Sequence, residues 1–119
     1  MAATLCMFVL SALHPRDHAR SVCAAAATLQ AGGVLLFRDY GANDCAQLRV
    51  EQASILAPRL HVRGDGTLAF FFTTEEVEAL LTGAGLLVRR CEYHTVRIQN
   101  RKKGITMDRV FVQAEAVKL

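Results

Sequence analysis

Two short apolar runs flank an amphipathic stretch early in the chain. That order constrains the fold more than any other feature. Thr4 to Leu13 and Val34 to Phe37 are apolar on both faces, as strands covered on both sides must be. His14-Pro15 interrupts the first run, and Pro15 suits the opening turn of a helix. That helix is predicted to reach about Gln30. Val22, Cys23, Ala26 and Leu29 make one face apolar, and Ala24 to Ala27 favour a helix interior. Gly32-Gly33 stops it. Strand, helix and strand with short joints predict a βαβ unit with parallel strands and a right-handed crossover.

The rest of the chain predicts a different pairing. Gln47 to Leu56 reads as a weak helix that Pro58 ends. His61 to Arg63 and Thr67 to Phe72 flank Gly64-Asp65-Gly66, a hairpin signature. Thr73 and Glu76 form a capping-box pattern ahead of a helix through Val77, Leu80 and Leu81, closed by Gly83 or Gly85. Leu86 to Arg97 and Asp108 to Val117 read as strands joined by the polar turn Asn100 to Gly104, with Val110, Val112, Ala114 and Ala116 on one face. The fold class is therefore α/β, a mixed sheet with a parallel βαβ unit and a carboxyl-terminal antiparallel hairpin.

Size and composition narrow the function classes. The 119 residues make one small domain, in which a complete two-substrate enzyme is unexpected. A hydrophobic share of 52% excludes a disordered tail. The net charge of +3 permits an anionic partner without requiring one. The first apolar run lacks the basic flank and cleavage pattern of a secretory signal, and it is too short to span a bilayer. Its position at the very start suggests a fragment. Cys6, Cys23, Cys45 and Cys91 form no C-x-x-C pair, and Cys6 and Cys23 sit among apolar residues, which predicts reduced, buried thiols. His14, Asp17 and His18 lack a further ligand at metal spacing, so no metal is expected.

Chemistry is expected beyond the carboxyl ends of the parallel strands. Arg38-Asp39-Tyr40-Gly41 places a cation, a carboxylate and a phenol at one such end. A strand-end salt bridge with a turn glycine is the competing reading. Arg89, Arg90, Arg97, Arg101, Lys102, Lys103 and Arg109 crowd the last hairpin against only Glu92 and Asp108. That pattern suits either a solvated turn or a phosphate-tracking tip. Tyr93 and His94 add stacking and hydrogen-bonding capacity beside it.

Several blocks together resemble a known family. They are Phe8 to Pro15, Leu35 to Gly41 with Asp44 and Gln47-Leu-Arg49, Val62 to Thr67 with Phe71-Phe-Thr73, Asn100 to Lys103, and Arg109 to Gln113. In order and spacing they resemble the methyltransferase-like tRNA N3-methylcytidine methyltransferases, most of all the subgroup acting on threonine and arginine tRNAs. The resemblance implies the carboxyl-terminal half of a class I, Rossmann-like, S-adenosylmethionine-dependent methyltransferase. Residues 1–119 would then be a partial methyltransferase domain lacking its amino-terminal cofactor-binding half. The alternative is a noncatalytic RNA- or protein-binding module derived from such an enzyme.

The resemblance also implies site residues. Met7 matches a position whose backbone borders the cofactor, S-adenosylmethionine. Arg38, Asp39, Tyr40, Asp44 and Arg49 match the substrate-side cluster, and Arg63, Arg97, Arg101, Lys102, Lys103 and Arg109 are expected to bind RNA. Cytosine N3 already carries a lone pair, so positioning matters more than a strong base. Asp39 or Asp44 would accept from the exocyclic amine, and Arg38 or Arg49 would hold a phosphate or the cytosine carbonyl. The implied partners are tRNA and a helper such as an aminoacyl-tRNA synthetase, with no membrane. The implied compartment is the cytoplasm, with the mitochondrion and nucleus as alternatives.

Overall fold

The computed structural model describes residues 3–7, 9–44, 55–63 and 65–119. β1 (Ala3–Met7) and β2 (Val34–Tyr40) pair in parallel, Ala3 opposite Val34 and Met7 opposite Arg38, as the βαβ reading requires. The first strand is shorter than its apolar run. Leu10–Ala12 turn into a 3-10 helix, because Ser11 N–H donates to the Asp39 carboxylate at 3.0 Å and leaves no extended ladder to continue. A second 3-10 turn, Pro15–Asp17, leads into α1 (His18–Ala27), which stops short of Gln30. Val22, Ala26 and Leu29 are buried as expected. Cys23 is not: it is exposed, one step around the helix from Val22. The Lys118 ammonium closes α1 by donating to the carbonyls of Ala26 and Leu29 at 2.9 and 2.8 Å, a favourable place for a cation.

A small antiparallel sheet follows. It consists of β3 (Ile55–Ala57), β4 (Leu60–Val62) and β5 (Leu68–Phe70). The expected helix from Gln47 to Leu56 is contradicted where it is described. Ile55 pairs with His61 across a strand edge, and the remainder, 47–54, lies outside the described residues. Arg63 N–H donates to the Thr67 carbonyl at 2.7 Å, closing the expected hairpin. α2 (Thr74–Gly83) starts at a capping box in which the Thr73 side chain accepts from Glu76 N–H and the Glu76 carboxylate accepts from Thr73 N–H.

β6 (Leu86–Asn100) and β7 (Ile105–Lys118) form a hairpin longer than the expected strands by three residues at the turn end. The main sheet runs β1-β2-β7-β6, with β7 antiparallel to both neighbours. Alternation along β2 and β7 sends Leu35, Phe37, Asp39, Val112, Ala114 and Ala116 to the face that packs on α1 and α2. Leu36, Arg38, Tyr40, Phe111 and Gln113 take the other face. Among the described residues no helix is long and apolar enough to cross a membrane.

Candidate functional site

The carboxyl end of β2 carries two buried carboxylates, each committed to the protein's own backbone. Asp39 is fully buried. Its Oδ2 accepts from Ser11 N–H at 3.0 Å and its Oδ1 from Tyr40 N–H at 2.9 Å. Burial pushes its carboxyl above the usual range, while those hydrogen bonds pull the other way. His18 holds the same turn from the helix side. Its Nε2 lies 2.7 Å from the Leu10 carbonyl and 3.1 Å from that of Leu13, so Nε2 carries the proton. Asp39 and His18 together fix the turn that follows β1.

Asp44 is also fully buried. Its Oδ1 accepts from Arg109 Nε at 2.9 Å and from Val110 N–H at 2.7 Å, tying the loop after β2 to β7. Between the two carboxylates, Gly41 N–H donates to the Val110 carbonyl at 2.8 Å. A Cβ at Gly41 would sit 2.9 Å from Val110 Cγ1 and 3.2 Å from the Phe111 carbonyl carbon. Close backbone approach, not an unusual φ, requires glycine there.

On the opposite face the same strands build an arginine–aromatic cluster. The Tyr40 ring stacks on Phe111, its register partner in β7, with centroids 6.4 Å apart, and leans on Phe71 at 5.9 Å. The guanidinium of Arg109 lies 5.6 Å from the Tyr40 centroid and that of Arg63 5.9 Å. Arg38 covers the Phe111 ring at 4.7 Å, with its buried Nε lacking a hydrogen-bond partner among the described residues. A buried donor left so costs roughly 1–3 kcal/mol, offset in part by the cation–π contact. Three cations over two stacked rings can hold phosphate and offer a surface to an unpaired base.

The structure thus joins residues that the sequence reading kept in two groups. Arg38 and Tyr40 from the strand end share a face with Arg63 and Arg109 from the basic set. Arg101, Lys102 and Lys103 are not brought in: they stand exposed at the far turn of the β6–β7 hairpin. Arg97, on the same ribbon, pairs with Asp108 at 2.9 Å in the open. Arg49 lies outside the described residues, and Met7 is described as the last residue of β1. Tyr93 turns to the helix side, where its hydroxyl accepts from Thr74 N–H at 3.3 Å. His14 Nδ1 accepts from Arg16 N–H at 3.2 Å. Sequence reasoning missed Phe71 and Phe111. The signal for Phe111 was present, since it falls between Val110 and Val112 on the alternate face of β7.

No family model matches the chain. It is 45% identical over 119 residues to the tRNA N(3)-cytidine methyltransferase METTL2 of Danio rerio, covering 95% of this chain and 32% of that protein. The corresponding human METTL2B is 42% identical over 118 residues, and mouse METTL6 is 40% identical over 114. The chain spans about a third of the length of these curated relatives. The family resemblance read from the sequence is borne out by them. A SAM-dependent methyltransferase from Methanosarcina mazei superposes with a TM-score of 0.64 at 20% identity, over 100% of this chain and 59% of that one. The 1,6-didemethyltoxoflavin-N1-methyltransferase of Burkholderia thailandensis, solved with S-adenosylhomocysteine, gives 0.64 at 18% identity, over 98% of this chain and 43% of its own. The fold is that of part of a SAM-dependent methyltransferase.

Proposed function

We propose that this chain is the substrate-facing part of a tRNA N3-cytidine methyltransferase domain that uses S-adenosylmethionine. The observation that carries the reading is the Arg38–Tyr40–Arg63–Arg109–Phe111 cluster at the carboxyl end of β2, in a chain whose relatives act on tRNA cytidine. Tyr40 and Phe111 offer a stacking surface for an unpaired base of the anticodon loop, and the arginines face its phosphates. Through the resemblance, Arg49 is proposed to act on the substrate with Arg38, Asp39, Tyr40 and Asp44.

S-adenosylmethionine supplies the methyl group when bound. The proposed share of this chain in holding it is the backbone at Met7, beside the turn that Asp39 and His18 fix. The side-chain oxygens of Asp39 and the Nε2 of His18 are all engaged within the protein. That supports a positioning role for them: they hold the end of β1 in place. Asp44 likewise orients Arg109. Attack by the cytosine N3 lone pair then depends on how the ring is held. The tip residues Arg101, Lys102 and Lys103, with Arg97 behind them, extend the basic surface along the RNA backbone. An aminoacyl-tRNA synthetase or other helper protein is the further partner proposed, and the cytoplasm the proposed compartment.

Tyr40→Ala in the full polypeptide tests the reading. The stacking surface contributes about 1–3 kcal/mol per base, so tRNA affinity and single-turnover cytidine methylation should fall together, measured below the variant's lowered melt, where it is still folded. Wild-type affinity and rate from that variant would place the substrate elsewhere.

A further inference from the structure

His61 is a buried histidine in the middle of the small sheet. It is 4% exposed, and among the described residues both of its ring nitrogens lack a hydrogen-bond partner. It stands at the centre of β4, opposite Ile55 of β3 and Ala69 of β5. Its ring meets Phe71 edge-on at 5.3 Å, and Phe71 in turn leans on Tyr40. The small sheet thus meets the Tyr40 ring through Phe71, next to the Phe72 N–H that donates to the Tyr40 carbonyl at 2.9 Å, with an unsatisfied imidazole behind Phe71.

A proton would turn both ring nitrogens into donors and add a charge. Nothing described around the ring would receive it. β3 presents Ile55, Leu56 and Ala57, β5 presents Leu68, Ala69 and Phe70, and β4 itself adds Leu60 and Val62. The charged residues of the small sheet are otherwise engaged. Arg59 is held by Glu76 at 2.6 Å and by the Phe71 carbonyl at 3.1 Å. Arg63 lies over Tyr40, and Asp65 accepts from Thr67. No described carboxylate pairs with His61, and burial favours the neutral ring.

We propose that the β3–β4–β5 sheet is a proton-sensitive clamp, closed on Phe71 while His61 is neutral and loosened when His61 takes a proton. Loosening would slacken the Phe71 and Arg63 side-chain contacts with Tyr40, while the backbone bond from Phe72 N–H to the Tyr40 carbonyl stays in place. Burial holds the imidazole below its ordinary value of 6.5. For a base lowered in this way, the stability it permits is full above about 6.5 and is lost as the pH falls toward the folded-state value.

The clamp does not depend on what Tyr40 binds, and its test reads the sheet itself. Hydrogen exchange of the β4 and β5 amides, corrected for intrinsic rate, would be followed in the full polypeptide from pH 7.5 to 5. Protection should fall below pH 6.5 by up to about tenfold per pH unit, the limit for one proton. His61→Phe should remain protected and flat over that range. His61→Gln, which keeps a donor and an acceptor but does not titrate, should also be flat and serves if the phenylalanine variant does not fold. Flat wild-type protection would overturn the proposal. So would an identical fall in both variants, which would assign the effect to another histidine, His18 being the other buried one.

Discussion

The carboxyl end of β2 and the tip of the β6–β7 hairpin are both rich in arginine, yet they hold their charges in opposite ways. At the strand end, Arg109 is tied to a fully buried carboxylate, and Arg38 and Arg109 lie against aromatic rings. At the hairpin, Arg97 and Asp108 make an open pair, and Arg101, Lys102 and Lys103 extend into solvent. Side chains at the first site are positioned by the fold and in turn hold it together. Those at the second stand exposed and add field. The difference separates a site that orients a ligand from one that attracts it.

The largest effect expected from this contrast is on stability at the strand end. Asp44→Ala leaves the Val110 amide without its acceptor and releases Arg109 from its partner. Loss of a buried acceptor costs about 2–3 kcal/mol. Urea unfolding of the full polypeptide should show the unfolding free energy lowered by that amount and the midpoint shifted down accordingly. An unchanged midpoint would mean that the strand end is no more tightly built than the tip.

A smaller loss is expected at Gly41. An added methyl meets Val110 Cγ1 at 2.9 Å and the Phe111 backbone at 3.2 Å, so β2 and β7 must part slightly. Overpacking of this kind costs about 1–3 kcal/mol. Since Phe111 is also the ring on which Tyr40 stacks, Gly41→Ala should lower tRNA affinity as well as the melt. A melt that falls with affinity unchanged would uncouple the carboxylate side of the strand end from its aromatic side.

Much of the framework was legible in local pattern. Runs of period 2, the Pro15 helix start, the Thr73–Glu76 capping box and the Asp65-Gly66 turn each act over a few residues, and the structure keeps all of them. What pattern did not show is set by distant contacts. β1 ends early because Asp39, 28 residues on, claims the Ser11 amide. The resemblance alone groups Asp44 with the substrate side, and its tie to Arg109, 65 residues later, is not visible in the pattern. Cys23 shares the apolar spacing of Val22 but falls beyond the edge of the buried stripe. Ile55 forms a strand against the helical reading because its partner, His61, lies across a turn that Arg59 enters with φ of +62°. The basic residues were visible as a set. Their division between a packed cluster and an open tip required the register of β7 against β2 and β6.

The smallest structural effect belongs to the tip. Arg101, Lys102 and Lys103 occupy a turn whose strands pair from Leu86 to Asn100 and from Ile105 to Lys118. Removing three exposed charges there should leave the melt nearly unchanged, because such groups contribute little to folding. Binding should respond differently. Each lost phosphate contact on a single strand lowers the salt slope by roughly 0.7, so replacing all three with alanine should reduce it by roughly 1 to 2 units and weaken tRNA binding at low salt. Tyr40→Ala, by contrast, should weaken binding with the slope intact, since stacking releases no counterions. Filter binding of both variants across several salt concentrations separates the two. A slope unchanged in the triple variant would show that the tip stands clear of RNA and leave the strand-end arginines to carry the electrostatic attraction alone.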